Sequence, residues 1–267
     1  FRGMAYFLAF HDYDHGRVVD DLREIREIGC NWVSLDIALT MDAATASDVY
    51  LPYAREDQSH ATAPYRHEPN LWHHFPSDEE IRHFVDTAHE YGLSVMLKPH
   101  VHPKHSGLRL RTKDGSLVDP MLPACVHPHD VDAWFRSYRR ILLHYADTLD
   151  VDAVCVGDEL SGLYGYDDHW RILVAELRAV TDAKITCAFN WHVALHHEHR
   201  LLLRAIRLLR LEDNLLRHLL QQQGRDVVFA DGAERRIARD TFAEYPTWCD
   251  APDLVGVNFY FPLSARR

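Results

Sequence analysis

The sequence contains no run of 18 apolar residues, no C-x-x-C pair, no internal repeat and no low-complexity tract. The first absence leaves no segment long enough to cross a bilayer as a helix. The others exclude repeat arrays, collagen-like chains and zinc knuckles. Five cysteines, Cys30, Cys125, Cys155, Cys187 and Cys249, are odd in number and widely spaced, which points to reduced, buried thiols and not to a disulfide framework. Cations are in deficit, with 29 Lys and Arg against 40 Asp and Glu and a formal charge of −11. Such a surface repels phosphate backbones and anionic lipid, so neither nucleic acid nor a membrane is an expected partner. The opening residues, Phe1 to Tyr6, include no initiator Met ahead of them and no charged region followed by an apolar one. The expectation is a soluble, cytoplasmic protein whose sequence begins inside a longer chain.

What is present is the composition of a folded chain: 267 residues, 47% hydrophobic, 11% aromatic and 26% charged. At roughly 150 residues per domain the length suggests two domains, but α/β barrels of about 250 residues commonly form one. Short apolar runs at 3–10, 32–39, 93–101, 151–160, 184–192 and 253–263 alternate with amphipathic stretches, the pattern of βα units around a parallel sheet. Helices are expected at about 17–28, with Val18, Leu22, Ile25 and Ile28 on one face and Gly29 as a stop, and at 77–92, between a Ser77/Glu80 capping box and Gly92. Two more fall at 130–148, burying Trp134, Phe135, Tyr138, Ile141, Leu142 and Tyr145, and at 168–180, burying Trp170, Leu173, Val174 and Leu177.

Three segments interrupt this alternation. A long polar loop at 40–76 carries Tyr50, Tyr53, Tyr65, His67, Trp72, His73 and His74, side chains able to line a site. Lys113-Asp114-Gly115 marks a turn, so a small hairpin is expected after the third run. The segment 195–245 reads as a helical insertion in a single barrel domain, with Arg200, Arg204 and Arg207 along the solvated stripe of an outer helix.

The strongest chemical signal is Val154-Cys155-Val156-Gly157-Asp158-Glu159-Leu160, a buried strand ending in two adjacent carboxylates. Reacting groups in parallel barrels sit at the C-terminal ends of strands. Burial also raises a carboxyl's pKa toward the range that suits a general acid. The plain alternative is that Asp158 and Glu159 begin a solvated loop. In the third run, alternation puts Lys98, His100 and His102 on one face. His-x-His can be a metal pair, but no H-E-x-x-H or comparable ligand spacing accompanies it. Polar substrate contact or a structural role is preferred, and neither a metal nor another cofactor is expected. Asn190-Trp191-His192 and Asn258-Phe259-Tyr260 close the fifth and sixth runs, where aromatics can stack on sugar rings while amides bond hydroxyls.

Taken in order, residues 29–35, 95–101, 134–138, 156–160 and 255–263 resemble the successive motifs of glycoside hydrolase family 113, clan A (β/α)8 barrels known mainly for β-mannan hydrolysis. The resemblance runs to about residue 263 and is weakest across 195–245. It implies a TIM-barrel fold and a retaining double displacement on a β-linked oligosaccharide or polysaccharide, with Glu159 as acid/base and a strand-seven Glu as nucleophile. It further implies that Tyr260 bonds the nucleophile and that Lys98, His100, Trp191 and Asn258, with Asp158, line the sugar site. One departure is Asp158, where the clan commonly has Asn and the family a small polar residue. The other is the strand count: six runs stand where the (β/α)8 fold has eight. Strand seven and the nucleophile are expected to be missing and the chain alone inactive, although Glu198 and Glu244 remain as candidate replacements. Two other readings are a non-catalytic carbohydrate-binding or scaffold barrel and a metal-dependent hydrolase built on His100 and His102. Sequence does not set the oligomeric state.

Overall fold

Alternation along the second apolar run sets the architecture. Val33, Leu35, Ile37 and Leu39 enter the hydrophobic core, while the residues between them, Ser34, Asp36, Ala38 and Thr40, take the opposite face of the strand. The computed structural model describes residues 2–8, 15–51, 76–106, 108–111, 117–118, 123–190, 226–229 and 247–258. Nine strands and four α-helices lie among them: β1 (Gly3–Phe7), α1 (His15–Glu27), β2 (Trp32–Met41), α2 (Asp78–Glu90), β3 (Ser94–Pro103), β4 (Leu108–Arg111), β5 (Leu117–Val118), α3 (Val131–Thr148), β6 (Ala153–Asp158), α4 (Asp167–Val180), β7 (Lys184–Asn190), β8 (Asp226–Phe229) and β9 (Leu254–Asn258).

Six of the strands form one parallel sheet in the order β1-β2-β3-β6-β7-β9. These are the six runs expected from the sequence, in chain order, as in the TIM-barrel fold. Among the described residues β1 and β9 are the sheet's edges. Helices pack on one face of the sheet. Helix α3 buries Trp134, Phe135, Tyr138, Ile141, Leu142 and Tyr145, and α4 buries Trp170, Leu173, Val174 and Leu177. Each fully buried aromatic of this kind contributes about 2–3 kcal/mol by leaving water. The Ser77/Glu80 capping box opens α2 with both reciprocal bonds in place. Helix α1 stops one residue short of Ile28, which is 67% exposed and not on the apolar face, because Gly29 takes a left-handed φ of 91° and turns the chain into β2.

The expected hairpin is present: β4 and β5 pair antiparallel. A third strand joins them from far along the sequence, since β8 pairs antiparallel with β4. The 195–245 segment thus contributes a strand at Asp226–Phe229, and its other residues lie outside those described.

Candidate functional site

The C-terminal half of β6 departs from a regular strand. Its register with β7 runs Cys155↔Thr186 and then Asp158↔Ala188, so three steps on β6 match two on β7. This is a β-bulge, and it reverses the parity of everything after it. Val154 and Val156 face the core with the helices, and strict alternation would send Asp158 the same way. The extra residue turns Asp158 to the opposite face, where Asp36 and Lys98 lie.

The bulge is built from identifiable parts. Gly157 lies against the indole of Trp170, where a Cβ would come within 3.1 Å of Cη2. Tyr138 Oη donates to the Val156 carbonyl at 3.0 Å, and the Cys155 thiol to the Gly157 carbonyl at 3.4 Å. Carbonyls displaced from the ladder are thereby given partners. Burial pushes the Tyr138 hydroxyl well above its ordinary value and the Cys155 thiol up to about 12, with the nearby Asp158 carboxylate adding to both. Both groups stay protonated as donors.

Asp158 is 0% exposed and ends the strand inside a chain of polar groups. Lys98 Nζ stands 3.4 Å from its Oδ1 and 3.6 Å from Asp36 Oδ2, while His100 Nε2 stands 2.7 Å from its Oδ2. Ser34 Oγ donates to Asp36 Oδ1 at 2.6 Å, and His100 Nδ1 is 2.8 Å from His102 Nε2 with the two rings stacked. Phe7, ending β1, meets His100 edge-on at 5.7 Å between centroids. Burial holds the Asp36 carboxyl above the usual carboxylate range against the pull of Lys98 and Ser34. Burial works to lower Lys98, but Asp158 and Asp36 together outweigh it and hold the ammonium above its ordinary value.

Glu159 follows directly, half-buried, with a left-handed φ of 55°. Its N–H donates to Ala188 O at 3.0 Å and its carbonyl accepts from Ser161 N at 2.9 Å. Two stacked indoles fix the turn beyond it: Trp170 Nε1 donates to Leu163 O at 2.8 Å and Trp248 Nε1 to Tyr164 O at 3.1 Å. The glutamate is therefore carried on a rigid corner at the rim of the sheet.

Of the residues expected at a site, Lys98, His100 and Asp158 come together, with Glu159 next to Asp158 in the chain. Asn258 ends β9 in register with Asn190, the end of β7. Trp191, Tyr260, Glu198 and Glu244 lie outside the described residues, as do Tyr53, Tyr65, His67, Trp72, His73 and His74 of the long loop. Tyr50 of that loop is buried and donates to Asp42 Oδ1 at 2.6 Å beside Lys104. Among the described residues no group of three His, Cys, Asp or Glu side chains is arranged to hold a metal ion, and no helix is long and apolar enough to cross a membrane. Sequence reasoning passed over Asp36. Its signal was a lone acid in the apolar run 32–39, which needs a buried partner.

A parallel sheet of the TIM-barrel type, with a glutamate directly after its fourth strand, is the arrangement of part of a (β/α)8 barrel. Residues 5–199 match the model of Glycoside Hydrolase Family 113, and the chain belongs to that family. Among solved structures it is similar to the family 113 β-mannanase AaManA from Alicyclobacillus acidocaldarius in complex with ManMIm, at 23% identity and a TM-score of 0.53, over 74% of this chain and 56% of that one. It is also similar to a family 113 β-1,4-mannanase solved as a complex (20% identity, TM-score 0.50, 71% of this chain and 55% of the other). A further family 113 β-1,4-mannanase structure gives 20% identity, a TM-score of 0.52 and coverage of 72% and 57%. The chain thus spans a little over half the length of these mannanases. No curated protein matches it.

Proposed function

We propose that this chain supplies the acid/base half of a retaining glycoside hydrolase acting on β-mannan-type oligosaccharides. One observation carries the reading: Glu159 stands at the C-terminal end of β6 on a backbone conformation that glutamate ordinarily avoids, above a buried charge cluster. In this reading Glu159 protonates the leaving oxygen and then takes a proton from water. A second carboxylate, roughly 5–5.5 Å away as retention requires, attacks the anomeric carbon. Lys98, His100, Trp191 and Asn258 line the sugar site, and Tyr260 bonds the nucleophile.

Among the described residues no second glutamate ends a strand of the sheet. The nucleophile is assigned to the strand that follows β9 in a closed barrel, and the 267-residue chain alone is proposed to be without turnover. The decisive assay uses these residues joined to the two strands that close the barrel, on β-1,4-linked mannooligosaccharides. Glu159→Gln should lower kcat by about 10²–10⁴-fold, and hydrolysis surviving that change would remove Glu159 from the role. Appreciable turnover by the 267-residue chain would refute its dependence on a further strand. Saccharide binding without turnover by the closed form would favour a non-catalytic binding barrel. Stoichiometric metal in the purified protein would favour the metal-dependent alternative.

A further inference from the structure

We propose that Asp36 is a positioning residue for this site, acting through Lys98 to hold Asp158, and with it the Glu159 corner, in place. The inference rests on the reading of Glu159 given above. Asp36 is the register partner of Lys98 on the neighbouring strand. One of its oxygens takes the Ser34 hydroxyl at 2.6 Å and the other faces Lys98 Nζ at 3.6 Å, while the same ammonium reaches Asp158 at 3.4 Å. The two acids are 1% and 0% exposed, so water does little to screen the arrangement. A cation shared between two buried anions has one stable position, because moving toward either strands the other without its counter-charge.

Packing alone does not call for an acid here. Ala38 and Thr40 occupy the next positions on the same face of β2, buried and without charge. The groups that face Asp36 and Asp158 are Ser34 from β2, Lys98 and His100 from β3 and Cys155 from β6. Three neighbouring strands are therefore tied at one level by a single ammonium, and Asp158 is pinned on one oxygen by Lys98 and met on the other by His100. Glu159 begins one peptide bond later.

Two readouts test this. In the closed-barrel form, Asp36→Asn keeps shape and removes charge. It should lower kcat on mannooligosaccharides about tenfold with KM within about twofold. An unchanged kcat would overturn the proposal. The second readout needs no substrate: melting temperatures of Asp36→Asn, Asp158→Asn and the double variant. Either single change leaves Lys98 one carboxylate and the double change leaves a bare buried ammonium, so the double should lose more than the sum of the singles. Additive losses would overturn the coupling. Coupled losses, with a closed-barrel form that hydrolyses no β-mannan, would support the Asp36–Lys98–Asp158 tie while removing the mannanase reading.

Discussion

The Trp170 indole closes the space behind the Cα of Gly157, leaving 3.1 Å between its Cη2 and any Cβ built there. Trp170 is fully buried and cannot give way freely, being stacked on Trp248 at 4.8 Å and tied to Leu163 by its N–H. Gly157→Ala should therefore destabilise by about 1–3 kcal/mol through overpacking and disturb the bulge that turns Asp158 inward. Chemical denaturation measures the first effect. A variant as stable as wild type would mean the bulge has more room than the geometry gives it.

Gly162, in the turn after Glu159, is tighter still. A Cβ there would run into the Val126 carbonyl oxygen and come within 2.7 Å of the His127 ring. Backbone cannot move aside as a side chain does, so Gly162→Ala should cost more than Gly157→Ala, about 3 kcal/mol or above. Comparing the two variants by denaturation tests the order, and a smaller loss at 162 contradicts it.

Thiol chemistry should sort the cysteines by burial. Cys30, Cys125, Cys155 and Cys187 are buried and Cys249 is partly exposed. Cys155 carries the additional bar of a thiol pushed up to about 12, by burial first and the Asp158 charge second. Thiolate is the reactive form. A thiol reagent at neutral pH should modify Cys249 first in the native protein and reach Cys155 only on unfolding, as peptide mapping would reveal. Rapid native labelling of Cys155 would contradict the burial.

Asp253 supplies a pH-dependent contribution. The Ile185 N–H at 2.8 Å on one oxygen, opposed by slight burial, and then Arg178 at 2.9 Å on the other hold its carboxyl below the ordinary value. A carboxyl lowered on folding adds stability above its unfolded pKa and loses it as pH falls through the folded one. The side chain is 38% exposed, so solvent screening limits the effect to about 1 kcal/mol or less. Asp253→Asn should lower the melting temperature near neutrality, and the gap to wild type should close as pH drops below about 4. A gap constant with pH would mean the ionised form plays no part.

Much of this architecture is legible in the sequence because period-2 and period-3.6 patterning acts over every strand and helix. The six parallel strands, the apolar faces of α3 and α4 and the Ser77/Glu80 box follow from it. Strand β8 does not, since four residues that pair with a partner more than a hundred positions away carry no local periodicity. Within the site, Glu159 and Asp158 were recognisable as acids at a strand end. Their facing was not, because one inserted residue inverts alternation and only the glycine at 157 hints at it. Asp36 was passed over for a related reason: its importance lies in a partner on another strand.

The left-handed backbone at Glu159 carries an energetic consequence. A non-glycine side chain at φ 55° costs about 1–2 kcal/mol that glycine would not. The turn itself is fastened through Ala188, Ser161 and the two indoles. On the reading of Glu159 proposed above, that penalty is folding free energy given up for a carboxyl group in one place.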